Sequence, residues 1–110
     1  MNISFKNRKL QKILTDPGEI KKAYGSIAKR VFQRMDQLQA APNLATIQSL
    51  PALECHLLTG DRKGEWAVSI SGNYRLIFDI DHHPIPTKDD GGIDSIRITD
   101  IRILETTDYH

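Results

Sequence analysis

The apolar residues of this chain change their spacing part-way along, and that change limits the folds open to it. Ile20, Tyr24, Ile27, Val31, Met35 and Leu38 recur at intervals of three and four, which makes one stripe along a helix. Trp66, Val68 and Ile70, then Tyr74, Leu76, Phe78 and Ile80, recur at intervals of two, as on the inward face of strands. Helical patterns that precede a run of strands give an α+β fold: two N-terminal helices packed on one face of a small, largely antiparallel β-sheet.

Local signals sharpen this outline. NISF reads as a short strand and KNRKLQKIL as a short basic helix. Asp16 caps a helix start, Pro17 suits its first turn, and Glu19 stands three residues after the cap. The stripe then predicts one helix over about 17–41, with Lys21, Lys22, Lys29, Arg30 and Arg34 largely off its apolar side. LATIQSLP is a helical turn and ECHLL a strand.

The hairpin faces set the strand register. A two-residue loop of Gly72 and Asn73 pairs Ser71 with Tyr74 and sets apolar against polar residues. A three-residue loop, SGN, pairs Ile70 with Tyr74, Val68 with Leu76 and Trp66 with Phe78, all on the buried side. The longer loop is therefore expected, with Gly72 or Asn73 at positive φ. The same register sends Arg75 to the opposite, partly open face beside Ser69 and Ile77. IDSIRITDIRILE is the last strand. Its apolar phase moves from Ile96 and Ile98 to Ile101 and Ile103, which predicts a bulge near Thr99 and Asp100. DHHPIPTKDDGG reads as a flexible insertion, at about 82–92, in a single domain spanning 1–110.

At 110 residues the chain is long enough to bury roughly two thirds of its surface without staples. The single Cys55 forms no internal disulfide and points to a reducing cytosol. No apolar run approaches a membrane span, so no membrane contact is expected. The net charge of +1 hides an asymmetry. Twelve Lys and Arg stand against six Asp and Glu through Arg75, and three against eight from Leu76 onward. The first part can attract a polyanion, but on composition alone a solvated basic helix face plus an acidic loop is the better explanation.

Phosphate-binding glycine motifs, zinc spacings and nucleophile elbows are missing. His82 and His83 are adjacent on an extended stretch and point opposite ways, which suits a solvated loop better than a metal. Trp66 belongs to the alternating set and is read as core. A lone strand histidine such as His56 is more often structural than catalytic. The chain closes on Asp108, Tyr109 and His110, a carboxylate, a phenol and an imidazole. At a terminus these are either unselected fray or groups held for chemistry.

LECHLLTGDRKGEWAVSISGNYRLIF together with the closing DYH resembles the HigB branch of the RelE/ParE superfamily of toxin–antitoxin toxins. The pattern is carried by His56, Leu58, Gly60, Asp61, Arg62, Lys63, Gly64 and Trp66, then Tyr74, Arg75, Leu76 and Phe78. Leu57 stands where the family commonly has Pro, and Thr59 where it often has Lys. The resemblance implies a ribosome-dependent, metal-independent endoribonuclease that cuts mRNA in the A site and inhibits translation. It implies catalytic groups at His56, Arg75, Asp108, Tyr109 and His110, and no cofactor. Grip on RNA or the ribosome would come from Lys6, Arg8, Lys9, Arg62 and Lys63. The implied partners are a cognate helix-turn-helix antitoxin, the ribosome and mRNA, with operator DNA reached only through the antitoxin, in the bacterial cytoplasm. The alternative within the superfamily is a ParE-like toxin that binds and inhibits DNA gyrase without cutting RNA.

The chemistry suits those residue types. RNA supplies its own nucleophile, the 2′-hydroxyl. Cleavage needs a base for that proton, an acid for the leaving 5′-oxygen, and positive charge on the transition state. Imidazoles titrate near working pH, and a guanidinium forks onto phosphate oxygens. The sequence leaves open which of His56 and His110 is the base.

Overall fold

The computed structural model describes Met1–Asp108. Asn7 caps α1 (Arg8–Thr15) by accepting from the Leu10 amide at 2.8 Å, and Leu10 and Leu14 form its buried side. Asp16 ends α1 and caps α2 (Pro17–Tyr24), accepting from the Gly18 and Glu19 amides, with Pro17 in the first turn. The expected single helix over 17–41 is interrupted. Gly25 takes φ 53°, ψ −119°, a conformation closed to residues with a Cβ, and a 3-10 turn over Gly25–Ile27 leads into α3 (Ala28–Ala40). The two expected N-terminal helices are therefore three in succession, α1, α2 and α3. Arg34, expected off the stripe, is buried: its Nε donates to the Ser69 carbonyl at 2.6 Å and its Nη1 to Gln37. Asn43 caps α4 (Leu44–Gln48), the turn expected there.

Among the described residues five strands form one sheet in the order β1-β5-β4-β3-β2. They are β1 (Asn2–Phe5), β2 (His56–Leu57), β3 (Glu65–Ser71), β4 (Tyr74–Ile80) and β5 (Asp100–Asp108). Three of the four pairings are antiparallel, and β1 runs parallel to β5. Val31, Leu38, Leu44 and Ile47 of the helical layer pack on Val68, Ile70, Leu76, Phe78, Ile101 and Ile103, all fully buried. Each such side chain contributes on the order of 1.5–3 kcal/mol of burial. Trp66 joins this core and stacks on Phe78 with ring centroids 6.4 Å apart.

The hairpin register is the expected one where it matters. Trp66 faces Phe78, Val68 faces Leu76 and Ser69 faces Arg75. The loop is the shorter one, however: Ser71 pairs with Tyr74, and a bulge between Ser69 and Ser71 absorbs the extra residue. Gly72 alone of the loop pair carries positive φ (55°), which fits a turn with glycine first. The bulge leaves the Ser69 carbonyl to Arg34.

The last strand begins later than expected. Residues Ser95–Arg97 form a 3-10 turn, Ile96 is exposed, and pairing starts at Asp100. The bulge lies not near Thr99 but at Leu104, between Phe78↔Ile103 and Ile77↔Glu105. It moves the core-facing set of β5 from Ile101 and Ile103 to Thr106 and Asp108, and leaves Glu105 and Thr107 on the open face.

The stretch expected as a flexible insertion has its own hydrogen bonds. Thr87 bridges Ile93, Lys88 N–H donates to the Gly92 carbonyl at 2.7 Å, and Asp94 N–H donates to the Pro86 carbonyl. His82 anchors it: its Nε2 accepts from the Thr99 and Asp100 amides at 3.0 and 3.1 Å. His83 is exposed beside Asp81. No helix of the described residues is long and apolar enough to cross a membrane.

Candidate active site

The face of the sheet away from the helices is divided. Over its middle, Leu58, Ala67, Ile77 and Leu104 form a small second apolar cluster. The loop from Leu58 to Gly64 closes it, held by Arg62, whose guanidinium reaches Glu65 at 2.8 Å and Glu105 at 2.9 Å. These two carboxylates raise the pKa of Arg62 further. Lys63, next in the loop, is exposed.

Beyond the cluster the same face turns polar. His56 pairs with Ala67 on the edge strand β2 and is exposed. Its Nδ1 lies 2.8 Å from the Glu54 carbonyl. A carbonyl only accepts, so Nδ1 carries a proton, and of the two ring nitrogens Nε2 is the one left to offer a lone pair. Arg75 sits two residues beyond Ile77 on the same face. Its side chain is only 13% exposed, more enclosed than an open face implies. Nη1 donates to the Gly72 carbonyl at 2.5 Å, with the Tyr74 carbonyl and Ser69 Oγ at 3.3 and 3.4 Å. Nη2 lies 3.6 Å from Glu54 Oε2. Glu54 thus joins His56 to Arg75, through its carbonyl to one and its carboxylate to the other.

The neighbouring strand reaches this place. Thr107 pairs with Arg75 and Asp108 with Tyr74. On the helix side, Tyr24 and Tyr74 meet edge to face at 6.3 Å, and both hydroxyls hydrogen-bond Thr106 Oγ1. Burial raises the Tyr24 pKa against the Thr106 hydrogen bond that lowers it. These contacts fasten β5 up to the residue before Tyr109. Tyr109 and His110 lie outside the described residues.

The structure therefore puts His56 and Arg75 on one face of the sheet, with Thr107 beside Arg75, whereas Asp108 falls in line with Tyr74 and Thr106 on the other face. It separates the basic residues. Arg62 and Lys63 lie in the loop beside β3, whereas Lys6, Arg8 and Lys9 follow β1 at the opposite edge of the sheet. Glu54 was missed by sequence reasoning. It closes the 3-10 turn Pro51–Leu53 in the left-handed region, φ 46° and ψ 42°, and no residue type in PALEC signals that conformation. Cys55 beside it is no nucleophile at neutral pH, since burial pushes its thiol up to about 11. Among the described residues no group of three or more His, Cys, Asp or Glu is placed to hold a metal ion.

Comparison with known proteins decides the family. The HigB-like toxins, described as RelE-like toxins of type II toxin–antitoxin systems, match residues 3–87. The chain belongs to this family. The match takes in His56 and Arg75 and stops before β5. A solved YoeB/ParE toxin from Agrobacterium tumefaciens aligns over 100% of both chains with a TM-score of 0.52 and 9% identity, so the two share a fold. A YoeB dimer from Staphylococcus aureus aligns over 100% of this chain and 97% of that one, with TM-score 0.45 and 18% identity. No curated protein matches the chain. As a type II toxin it has an antitoxin for a partner.

Proposed function

We propose that this toxin is an endoribonuclease that cuts mRNA in the ribosomal A site and so stops translation, with residues 1–110 acting as one toxin domain. The observation that carries the reading is the His56–Glu54–Arg75 chain on the sheet face left open by the helices. His56, with its proton on Nδ1, takes the 2′-hydroxyl proton at Nε2. The 2′-oxygen attacks the adjacent phosphorus. Arg75 Nη2 meets the charge that grows on the phosphorane oxygens, a contribution of roughly 3–4 kcal/mol for an aimed donor. His110 protonates the leaving 5′-oxygen, and the P–O5′ bond breaks to leave a 2′,3′-cyclic phosphate. Tyr109 stacks on a base or holds phosphate, and Asp108 orients His110 or the ribose. No metal enters these steps, because the substrate carries its own nucleophile.

Lys6, Arg8, Lys9 and Lys63 grip phosphate without reading sequence. Arg62 serves mainly by holding the loop that presents Lys63. The antitoxin is a small helix-turn-helix protein through which the pair reaches operator DNA, and the toxin acts in the bacterial cytoplasm.

Mapping mRNA ends in cells that express the wild type or His56→Ala tests this reading. Cuts at codon-phased positions are expected with the wild type and none with the variant. A wild type that spares mRNA but blocks supercoiling by DNA gyrase would instead make it a ParE-like binder.

A further inference from the structure

The geometry points to Glu54 as an internal anion that occupies Arg75 until a substrate phosphate displaces it. This inference rests on the nuclease reading for its substrate, but its physical content concerns the Glu54–Arg75 pair alone.

Four observations carry it. Arg75 Nη1 is committed to its own hairpin through the Gly72 and Tyr74 carbonyls and Ser69 Oγ. The other terminal nitrogen is Nη2, and the group it meets is the Glu54 carboxylate. The pair is loose at 3.6 Å, longer than the roughly 2.7–2.9 Å of a close charge-assisted hydrogen bond. The Glu54 side chain is 63% exposed against 13% for Arg75, so the carboxylate can swing into water while the guanidinium stays.

The backbone explains why the carboxylate is there. Glu54 is the non-glycine residue that carries positive φ among the described residues. That conformation is held at one end by its N–H on the Pro51 carbonyl and at the other by its own carbonyl on His56. A residue so fixed has little freedom in where its Cβ points, and here its carboxylate comes within 3.6 Å of Arg75 Nη2. Asn tolerates this conformation better than Glu. A selection for easy folding alone therefore does not account for Glu. Its charge does: it neutralises Arg75 at rest, so that a lone small anion competes poorly and a polyanion, gripped elsewhere too, displaces it.

Two variants test this. Glu54→Gln keeps the side chain's length and removes its charge. Glu54→Asn removes the charge and suits the backbone, so it folds if any variant does. Each is titrated with inorganic pyrophosphate while the Arg75 guanidinium resonances are followed. Both variants are expected to bind pyrophosphate about threefold to fivefold more tightly than the wild type, as the loss of an exposed ion-pair competitor allows. With a fully 2′-O-methylated RNA, the slope of log affinity against log salt should stay the same, because Arg75 meets phosphate in the wild-type complex too once Glu54 is displaced. A merely structural Glu54 would give weaker binding on removal. Unchanged or weaker pyrophosphate affinity in both variants overturns the inference. Cleavage of mRNA by the wild type is scored separately, so a toxin that cuts nothing fails the nuclease reading and leaves the pyrophosphate result to stand or fall by itself.

Discussion

The two faces of this sheet are made from alternate residues of the same strands, yet they are closed by different means. On the helix side, β3, β4 and β5 present Val68, Ile70, Leu76, Phe78, Ile101 and Ile103 to a continuous helical layer. On the other side a four-residue apolar cluster lies under one loop, and polar strand residues surround it, His56, Ser69, Arg75, Glu105 and Thr107 among them. The difference teaches that stability and chemistry are separated by a single side-chain alternation. Ser69 belongs to both: its carbonyl takes Arg34 from the helical layer, and its hydroxyl lies against Arg75.

The largest expected effect tests the closed face. Phe78→Ala should cost about 3–5 kcal/mol in urea unfolding, through lost burial and the cavity left beside Trp66. His56→Ala, on an exposed edge strand, should stay within about 0.5 kcal/mol of the wild type. If the two variants destabilise alike, the division between the faces is wrong.

Arg75→Ala comes next and blurs the division in a defined way. Cleavage should fall roughly 10²–10³-fold, as for loss of an aimed donor to the transition state. Unfolding should also ease by about 1–2 kcal/mol, because the Gly72 carbonyl loses its charged donor. An Arg75 variant of unaltered stability would show that the guanidinium does not hold the hairpin.

The smallest effect lies on the open face away from the site. The Thr99 hydroxyl, then the Asn2 amide, hold the Asp100 carboxyl below its ordinary pKa where β1 meets β5. A carboxylate with a depressed folded pKa stabilises above its unfolded value, and that share is lost as pH falls through the folded one. Urea midpoints should therefore fall below about pH 4 less steeply in Asp100→Asn than in the wild type. Parallel acid limbs would remove Asp100 from the account.

Much of this was legible in the residues. Alternation gave the β3–β4 register around Val68 and Leu76, and with it the face of Arg75. Asp16 and Pro17 gave the start of α2. What stayed hidden depends on backbone angles that side-chain spacing does not encode. Gly25 breaks the long helix while the apolar stripe runs on across the break. The phase change in the last strand was visible, but a 3-10 turn produces the same parity change near Ile98 as a bulge would. Leu104, an apolar residue in an apolar run, gives no sign that it is the one left unpaired. Of the candidate site, family resemblance picked out His56 and Arg75, and register gave the face of Arg75. Glu54 was not, because its role comes from a left-handed turn. The expected tail residues Tyr109 and His110 lie outside the described structure.

The place of β5 in the sheet has a consequence for how the molecule is made. The strand translated after all the others is not added at a rim; it is wedged between β1, which emerges first, and β4. A nascent chain still short of Asp100 therefore has two unsatisfied strand edges and no way to join them. Such long-range closure is slow compared with helix formation. The open face that carries His56 and Arg75 is therefore incomplete until β5 has been laid between β1 and β4.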